Sequence, residues 1–279
     1  MKKFLTKVLG FTAIAIFFIY ARPIYLLIGN KYQEQVVSDE VYLAINQSKQ
    51  KTKYKKIVVG DSVAANLFPP TEENRLVYSM TSCIGTEPFG QYLLIKNYLK
   101  AGNQLEKVYW IYSPISFSSN LKGRFAYNYF LKPFYRREYL EDFTPLIRSH
   151  VKKIPYYFFS QEPGILTSNW TPNFYTDYTH DFSFLSPVAI EAIKKTKKLA
   201  EEFNFELVIL PTPIIEEKKQ QMQELEMDKS EISENAFEDL FDGYFDKIIY
   251  LDSTNFLADK SHLLNPQPLT TKYLTELMD

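Results

Sequence analysis

The chain has 279 residues, of which 46% are hydrophobic and 16% are aromatic, and its formal net charge at pH 7 is -1. This length and hydrophobic content predict one substantial core, in a single domain with an insertion. A charge so near neutral provides no basic field, which argues against binding to nucleic acid. The single cysteine, Cys83, excludes an intrachain disulfide framework and a cysteine-based metal cluster.

Residues 1–29 have the pattern of a membrane signal anchor. Three lysines within the first seven residues precede an uncharged run at 8–21, and after an Arg-Pro interruption the run 24–28 is apolar again. The whole stretch 8–28 is long enough to span a bilayer. A small-residue cleavage site is not evident, which favours an uncleaved anchor over a cleaved signal peptide. The lysines predict a single-pass protein of the cell membrane with its domain outside the cytoplasm. A buried helix of a soluble domain is the alternative.

Residues 30–55 are polar and predict a stalk with one helix around 39–49, and 56–279 predict an α/β domain. Apolar strand-like runs alternate with helical patterns there, which is typical of a mostly parallel sheet with helices on both faces. The expected fold is a flavodoxin-like three-layer α/β/α sandwich. Its strands are predicted at 57–60, 76–80, 108–113, 207–211 and 248–252, and its helices near 86–100, 187–204 and 268–278.

The first predicted strand runs into Gly60-Asp61-Ser62. A strand that ends at a glycine and turns into a helix places the next hydroxyl at the carboxyl edge of the sheet. Exposed catalytic groups of open α/β sheets lie at this edge, so Ser62 is a candidate nucleophile. Asp and Ser also suit the cap of a helix, and this segment alone leaves both interpretations open.

The last predicted strand is followed by Asp259 and His262. A nucleophilic serine needs a base within hydrogen-bond reach, and the base needs an acid that holds its tautomer. A separation of three residues lets the carboxylate lie beside the imidazole within one turn. The other histidines are His150 and His180, and the pair His180-Asp181 is a weaker rival.

These segments together resemble the SGNH/GDSL hydrolase superfamily, and more narrowly its membrane-anchored branch, which acts on acyl groups of cell-surface polysaccharides and other extracellular glycopolymers. The residues 60–62 match the first block of that family and 259–263 match the last block. The segment 79–85 resembles the second block, whose glycine gives a backbone N–H to the oxyanion hole. The resemblance thus makes Gly85 an oxyanion candidate.

The third block of the family departs from its usual pattern here. Gly-x-Asn-Asp is replaced by Ser113-Pro114-Ile115-Ser116, so the oxyanion asparagine is missing. Ser113 and Ser116 are the candidate replacements, and the third donor is otherwise unassigned. Membrane-anchored acyltransferase relatives often depart at this block, so the gap favours that branch.

The resemblance implies acyl transfer through an acyl-enzyme. Ser62 would attack an ester or thioester carbonyl, His262 would remove its proton, and Asp259 would orient the imidazole. The N–H groups of Ser62 and Gly85 would stabilise the oxyanion. The acceptor would be a hydroxyl of an extracytoplasmic polysaccharide or glycopolymer. The resemblance also implies a membrane-bound O-acyltransferase as partner, and the chemistry needs no metal or organic cofactor.

The segment 117–186 interrupts the alternation of strands and helices with many aromatic residues. Such a long insertion either borders the active site and supplies acceptor contacts, or is a helical elaboration that is packed for stability. The charged stretch 216–238 is typical of a solvated helix face.

Two other functions stay open. The first is an extracytoplasmic carbohydrate esterase that removes acetyl groups from polysaccharide. The second is a non-catalytic, membrane-tethered protein that keeps the fold for binding or assembly. The missing asparagine of the third block favours this second alternative.

Overall fold

The computed structural model of the chain describes residues 2–20, 39–70, 76–82, 87–121, 126–134, 138–151, 184–227 and 229–278. Its α-helices, in chain order, are α1 (Lys2–Tyr20), α2 (Asp39–Ser48), α3 (Ser62–Leu67), α4 (Glu87–Lys100), α5 (Pro114–Phe117), α6 (Lys132–Phe134), α7 (Pro145–Val151), α8 (Pro187–Phe203), α9 (Lys219–Met227), α10 (Ser230–Glu234), α11 (Glu238–Phe241) and α12 (Gln267–Lys272). Short 3-10 turns lie at Glu216–Lys218 and Ser253–Asn255, and π-helical turns lie at Tyr127–Leu131 and Tyr273–Leu277.

A four-stranded parallel sheet lies at the centre of the domain. Its strands are β1 (Lys56–Gly60), β2 (Tyr78–Ser79), β3 (Lys107–Ile111) and β4 (Glu206–Leu210), in the spatial order β2-β1-β3-β4. Gly60 pairs with Ile111, and Ile111 pairs with Leu210, so β1, β3 and β4 end at one level. This order is the one expected of the first four strands of a flavodoxin-like sheet.

The fifth predicted strand does not extend this sheet. Only residues 250–251 of it form a strand, β6 (Tyr250–Leu251). This strand pairs in parallel with β5 (Ile214–Ile215) in a separate two-stranded sheet. The sequence Pro211-Thr212-Pro213 separates β4 from β5. Since proline has no N–H to give to a ladder, the two prolines end β4 at Leu210 and displace the next pairing.

The sheet is covered on both faces because alternate residues of each strand point to opposite sides. Ile57 and Trp110 belong to a large apolar cluster that also contains residues of α2, α4 and α8. Val58 and Tyr109 belong to a second cluster, with residues of α3 and of the C-terminal segment. Helices therefore lie above and below the sheet, as the alternating pattern predicts.

Helix α2 packs on the domain. Its residues Val41, Ala44 and Ile45 are buried in the large cluster together with residues of α4. The part of the predicted stalk 30–55 that α2 occupies therefore packs against the α/β domain. The helix predicted around 39–49 is confirmed, since α2 runs over Asp39–Ser48.

The described aromatic residues of the insertion 117–186 mostly belong to the core. Phe130, Phe134 and Phe143 are buried, and the rings of Phe130 and Phe143 contact Phe89 of α4 edge to face. This packing agrees with the structural interpretation of the insertion for these parts. The residues 152–183, which carry the predicted acceptor contacts, lie outside the described residues.

The N-terminal helix α1 covers most of the predicted anchor, and the apolar run 24–28 lies outside the described residues. Across the part of the chain that the structure describes, we find no helix with both the length and the apolar character needed to cross a membrane.

Candidate active site

Gly60 brings the end of β1 into very close contact with its neighbours. A Cβ atom at this position would lie 2.1 Å from the carbonyl oxygen of Ile111 and 2.5 Å from the Cβ atom of Ala64. Only a residue without a side chain fits between the end of β3 and the first turn of α3. The glycine thus lets helix α3 start directly at the edge of the sheet.

Asp61 connects this helix to the end of β3. Its Oδ1 accepts the backbone N–H groups of Val63 and Ala64, at 3.0 and 3.2 Å, and caps α3. Its Oδ2 accepts the backbone N–H of Ser113 at 3.0 Å and the hydroxyl of Ser116 at 2.8 Å. Burial raises the pKa of the Asp61 carboxyl, and the four donors oppose that shift. The carboxylate is therefore a structural anchor rather than a group free for catalysis.

Ser62 is the first residue of α3 and is half-buried. The first N–H groups of a helix have no partner inside it, so the Ser62 N–H is suited to the oxyanion role that the sequence predicts. The helix cap that Gly60-Asp61-Ser62 also predicts is formed by the Asp61 side chain. This leaves the Ser62 hydroxyl at the carboxyl edge of the sheet without a capping role.

Asp259 and His262 form a hydrogen-bonded pair. His262 Nδ1 lies 2.7 Å from Asp259 Oδ2, and Asp259 Oδ1 accepts the backbone N–H groups of Ser261 at 2.9 Å and His262 at 3.0 Å. Hydrogen bonds from His262 and from the Ser261 backbone lower the pKa of the Asp259 carboxyl to about 2. An ionised carboxylate at Nδ1 favours the tautomer whose Nε2 is free to accept a proton.

The turn that carries this pair is closed as a short hairpin. Phe256 and Leu263 form an antiparallel bridge, and the Leu257 N–H donates to the His262 carbonyl oxygen at 2.7 Å. The backbone N–H of Leu263 donates to Asn66 Oδ1 of α3 at 2.8 Å, and Leu263 is buried with residues of α3. The Asp259–His262 turn is therefore fixed on the helix that begins at Ser62.

The structure thus places the turn of Asp259 and His262 against the helix that begins at Ser62. Asn66 lies one helical turn after Ser62, and its backbone partner Leu263 directly follows His262. Among the described residues, no hydrogen bond joins the Ser62 hydroxyl to the imidazole. Such contacts are often long in an enzyme without substrate and shorten only in the complex.

A pocket opens beside these residues. Its walls include the apolar side chains of Val63, Ile115 and Phe256 and the hydroxyl-bearing Ser113, Thr212 and Ser261. Val63 follows the candidate nucleophile, and Ser261 belongs to the turn of the candidate base. The pocket therefore adjoins the candidate catalytic residues through Val63 and Ser261, while Ser62, Asp259 and His262 are not among the residues that line it.

The oxyanion candidates divide into three cases. Gly85 lies outside the described residues. The N–H of Ser113 and the hydroxyl of Ser116 both donate to Asp61, so neither is a free donor. The Ser113 side chain makes no capping hydrogen bond to α5 and lines the pocket, so its hydroxyl is the one donor of this pair that can face a substrate.

Two residues at this edge were missed in the sequence. Asn66 fixes the turn of His262, and Thr212 lines the pocket between the two prolines. The spacing of Asn66, four residues after Ser62, put it on the same helix face and was an available signal. Nothing local pointed to Thr212, because its position depends on where the prolines end β4.

Of the remaining histidines, His180 lies outside the described residues and His150 is in α7. Within the described ranges, no group of three or more His, Cys, Asp or Glu residues is placed to hold a metal ion.

Comparisons with known proteins do not identify a family for this chain. No protein-family model and no curated protein matches the sequence. Among solved structures, the chain is similar to one from Streptococcus pneumonia that is described provisionally as a platelet activating factor. That similarity has 14% sequence identity over 94% of this chain and 97% of that chain, with a TM-score of 0.33. A likeness at this level carries no argument about activity, so the resemblance to SGNH/GDSL hydrolases stays an interpretation of the motifs.

Proposed function

We propose that this protein is an SGNH-type serine acyltransferase, which moves an acetyl or similar acyl group onto an extracytoplasmic polysaccharide or glycopolymer. The observation that carries the proposal is the Asp259–His262 pair, hydrogen-bonded at 2.7 Å and fixed by Asn66 on the helix that starts at Ser62. A carboxylate, an imidazole and a serine at one sheet edge are the parts that acyl transfer requires.

The reaction follows from the roles of these side chains. Ser62 Oγ attacks the acyl carbonyl carbon, and its proton passes to His262 Nε2. The tetrahedral oxyanion is stabilised by the Ser62 N–H and the Ser113 hydroxyl, with Gly85 as the further candidate. Removal of one such donor costs about 2.7–4 kcal/mol in other enzymes. The leaving group takes the proton from His262 as the acyl-Ser62 ester forms. An acceptor hydroxyl then gives its proton to Nε2, attacks the ester and restores Ser62.

The location and the partner are further parts of the proposal. The basic start and the apolar run 8–28 support a single-pass anchor, with the domain outside the cytoplasm. An anchored domain would meet lipid-linked polymers and a membrane acyl donor, which suits a membrane-bound O-acyltransferase as partner. Protease protection of the full chain in sealed cells checks this topology: the domain should be cleaved from outside without lysis.

Labelling of the full chain with a fluorophosphonate tests the nucleophile. We expect an adduct on Ser62, located by peptide mapping, that is lost in Ser62→Ala and in His262→Ala. Ser253→Ala, an exposed serine away from the pair, is the matched control and should keep the adduct. No adduct from folded protein would contradict the proposal. Full in vivo function of Ser62→Ala would establish the assembly protein instead.

The acceptor is tested separately. The protein is incubated with an O-acetylated polysaccharide, with and without an unacetylated oligosaccharide. Acetyl groups on the oligosaccharide, seen by mass spectrometry, support transfer. Release of free acetate alone identifies the carbohydrate esterase.

A further inference from the structure

Two lysines from separate elements converge on the pocket beside Ser62. Lys218 ends the 3-10 turn Glu216–Lys218 and is half-buried, whereas Lys260 lies between Asp259 and Ser261 in the turn of the candidate base. Among the described residues that line this pocket, none is acidic. The lining of the pocket therefore carries two positive charges and no negative one, and it includes Val63, which follows the candidate nucleophile.

The nearby carboxylates leave most of this charge available. Lys260 Nζ lies 3.9 Å from Glu217 Oε1, and their side chains are 65% and 54% exposed. An exposed pair at this distance is weak and screened by salt. The neighbouring Lys219 is paired with Glu216 at 3.3 Å and lies over the ring of Tyr250. By contrast, Lys218 forms no ion pair with another of the described residues.

The backbone at Lys260 adds a second observation. Its φ angle is +54°, in the left-handed region that glycine or asparagine adopts most easily. A lysine there is strained, and strain of this kind concentrates at functional sites. A turn selected only for its shape would favour glycine.

Thr212 gives a third observation. The residue is 1% exposed, and its hydroxyl has no hydrogen-bond partner among the described residues. A buried hydroxyl without a partner is unfavourable, and buried polar groups normally have one. Because Thr212 lines the pocket, an oxygen atom of a bound ligand would supply the missing partner.

We propose that this pocket binds an anionic group of the substrate, a carboxylate or a phosphate, between Lys218 and Lys260. This inference rests on the proposed function, since the pocket adjoins Ser62 through Val63. The anionic group is bound by the two ammonium groups and the Thr212 hydroxyl, while Val63, Ile115 and Phe256 contact the adjacent carbon atoms. The protein is thus selective for acyl esters that carry negative charge close to the reacting carbonyl.

Hydrolysis of matched aryl esters by the full chain tests the selectivity. 4-Nitrophenyl hemiglutarate carries the charge on the acyl side and is compared with neutral 4-nitrophenyl acetate. 4-Acetoxybenzoate carries it on the alcohol side and is compared with its methyl ester. We expect one anionic ester to exceed its neutral partner in kcat/KM by about tenfold or more. The pair that shows the preference identifies the side on which the charge lies.

The variants Lys218→Gln and Lys260→Asn, alone and combined, should lower this anionic-to-neutral ratio. Asparagine at 260 removes the charge and suits the left-handed backbone. Lys219→Gln is the matched control, because that lysine is paired with Glu216, and its ratio should equal that of the unchanged protein. An unchanged ratio in the double variant, or the same loss in Lys219→Gln, overturns the proposal.

A binding measurement separates this inference from the chemistry. Titration of Ser62→Ala protein with glutarate and with inorganic phosphate, followed by calorimetry, needs no reaction at the serine. Binding that is lost in the Lys218→Gln/Lys260→Asn background supports the pocket even when the labelling of Ser62 fails. Absence of binding by both anions overturns the pocket even when Ser62 is labelled.

Discussion

Asn66 Oδ1 accepts the backbone N–H of Leu263 at 2.8 Å, across 197 positions of sequence. This hydrogen bond joins the helix of the candidate nucleophile to the turn of the candidate base. Asn66→Leu removes the acceptor and should cost about 0.5–1.5 kcal/mol of stability, with a larger proportional loss in kcat than in KM. Denaturant unfolding and steady-state ester hydrolysis measure the two effects.

Asn66→Asp is the matched variant, since its carboxylate keeps an oxygen for the Leu263 N–H. Its kcat should stay closer to that of the unchanged protein than the kcat of Asn66→Leu. Equal losses of kcat in both variants would show that this hydrogen bond does not position His262.

Asp259→Asn should abolish most of the activity without unfolding the protein. The asparagine oxygen can still accept the N–H groups of Ser261 and His262, but its NH₂ group would face Nδ1 and favour the wrong imidazole tautomer. The same change in a serine protease lowers kcat by about 10⁴. We expect a loss of this order in kcat, measured by ester hydrolysis, while thermal unfolding shows that the variant is still folded.

Asp252→Asn is the control for this change, because Asp252 also accepts a backbone N–H, that of Thr254 at 2.9 Å, in a turn away from the pair. The stability of the folded protein at low pH gives a further check on Asp259. Because the pKa of Asp259 is lowered to about 2, its ionised form stabilises the folded state above the ordinary pKa of an aspartate. That contribution is lost as the pH falls through about 2. Equal activity in Asp259→Asn and Asp252→Asn would remove Asp259 from the mechanism.

Gly60→Ala should destabilise the domain by about 1–3 kcal/mol or more, since a methyl group has no room against the Ile111 carbonyl and Ala64. Relief of this overlap would move α3, and Ser62 with it, so fluorophosphonate labelling should fall as well. Gly10→Ala is the control, because a Cβ atom there meets no atom within 4 Å. If Gly60→Ala were labelled as fast as the unchanged protein, this result would contradict the close approach of β1, β3 and α3.

Glu87 should make the stability of the domain fall with rising pH. The residue is fully buried at the start of α4, where Oε1 accepts the Ser119 hydroxyl at 2.7 Å, and burial raises its pKa to about 8. Between about pH 4.5 and about pH 8, the Glu87 carboxyl keeps its proton in the folded state, whereas the same carboxyl in the unfolded chain has lost it. The stabilisation is therefore complete below about pH 4.5 and is lost as the pH rises through about 8.

Glu87→Gln removes this titration, so its stability should lack the corresponding slope, which reaches about 1.4 kcal/mol per pH unit for one proton. Urea unfolding between pH 5 and 9 measures the difference. The exposed Glu234→Gln serves as control and should follow the unchanged protein. Parallel curves for Glu87→Gln and the unchanged protein would contradict a neutral Glu87.

The sequence contained the central strands and the turn into α3 because those signals are local. Three β-branched residues predict β1, and the glycine that follows predicts its abrupt end. The long-range hydrogen bonds of Asp61 were not predictable, since the partners of its Oδ2 come from Ser113 and Ser116, more than fifty positions away. A side chain that suits a helix cap gives no sign of a second role.

In the C-terminal half, too, one feature was predictable from the local sequence and another was not. The three-residue spacing of Asp259 and His262 allows the contact that the structure shows, although such a spacing alone is weak evidence for a catalytic pair. The pairing of β6 with β5 was not predictable from apolar patterning, because the same pattern suits a strand of either sheet. The prolines around Thr212 decide the outcome by ending β4.

The two oxygens of Asp61 couple a local event to a distant one. Oδ1 starts helix α3, while Oδ2 accepts donors that arrive only when β3 has docked beside β1. Until that docking occurs, the buried carboxylate lacks half of its donors, and the helix that presents Ser62 is without its anchor. A partly folded chain in which β3 has not docked would therefore lack the contact that ties the start of α3 to β3, and formation of that contact would report completion of the β1–β3 pairing.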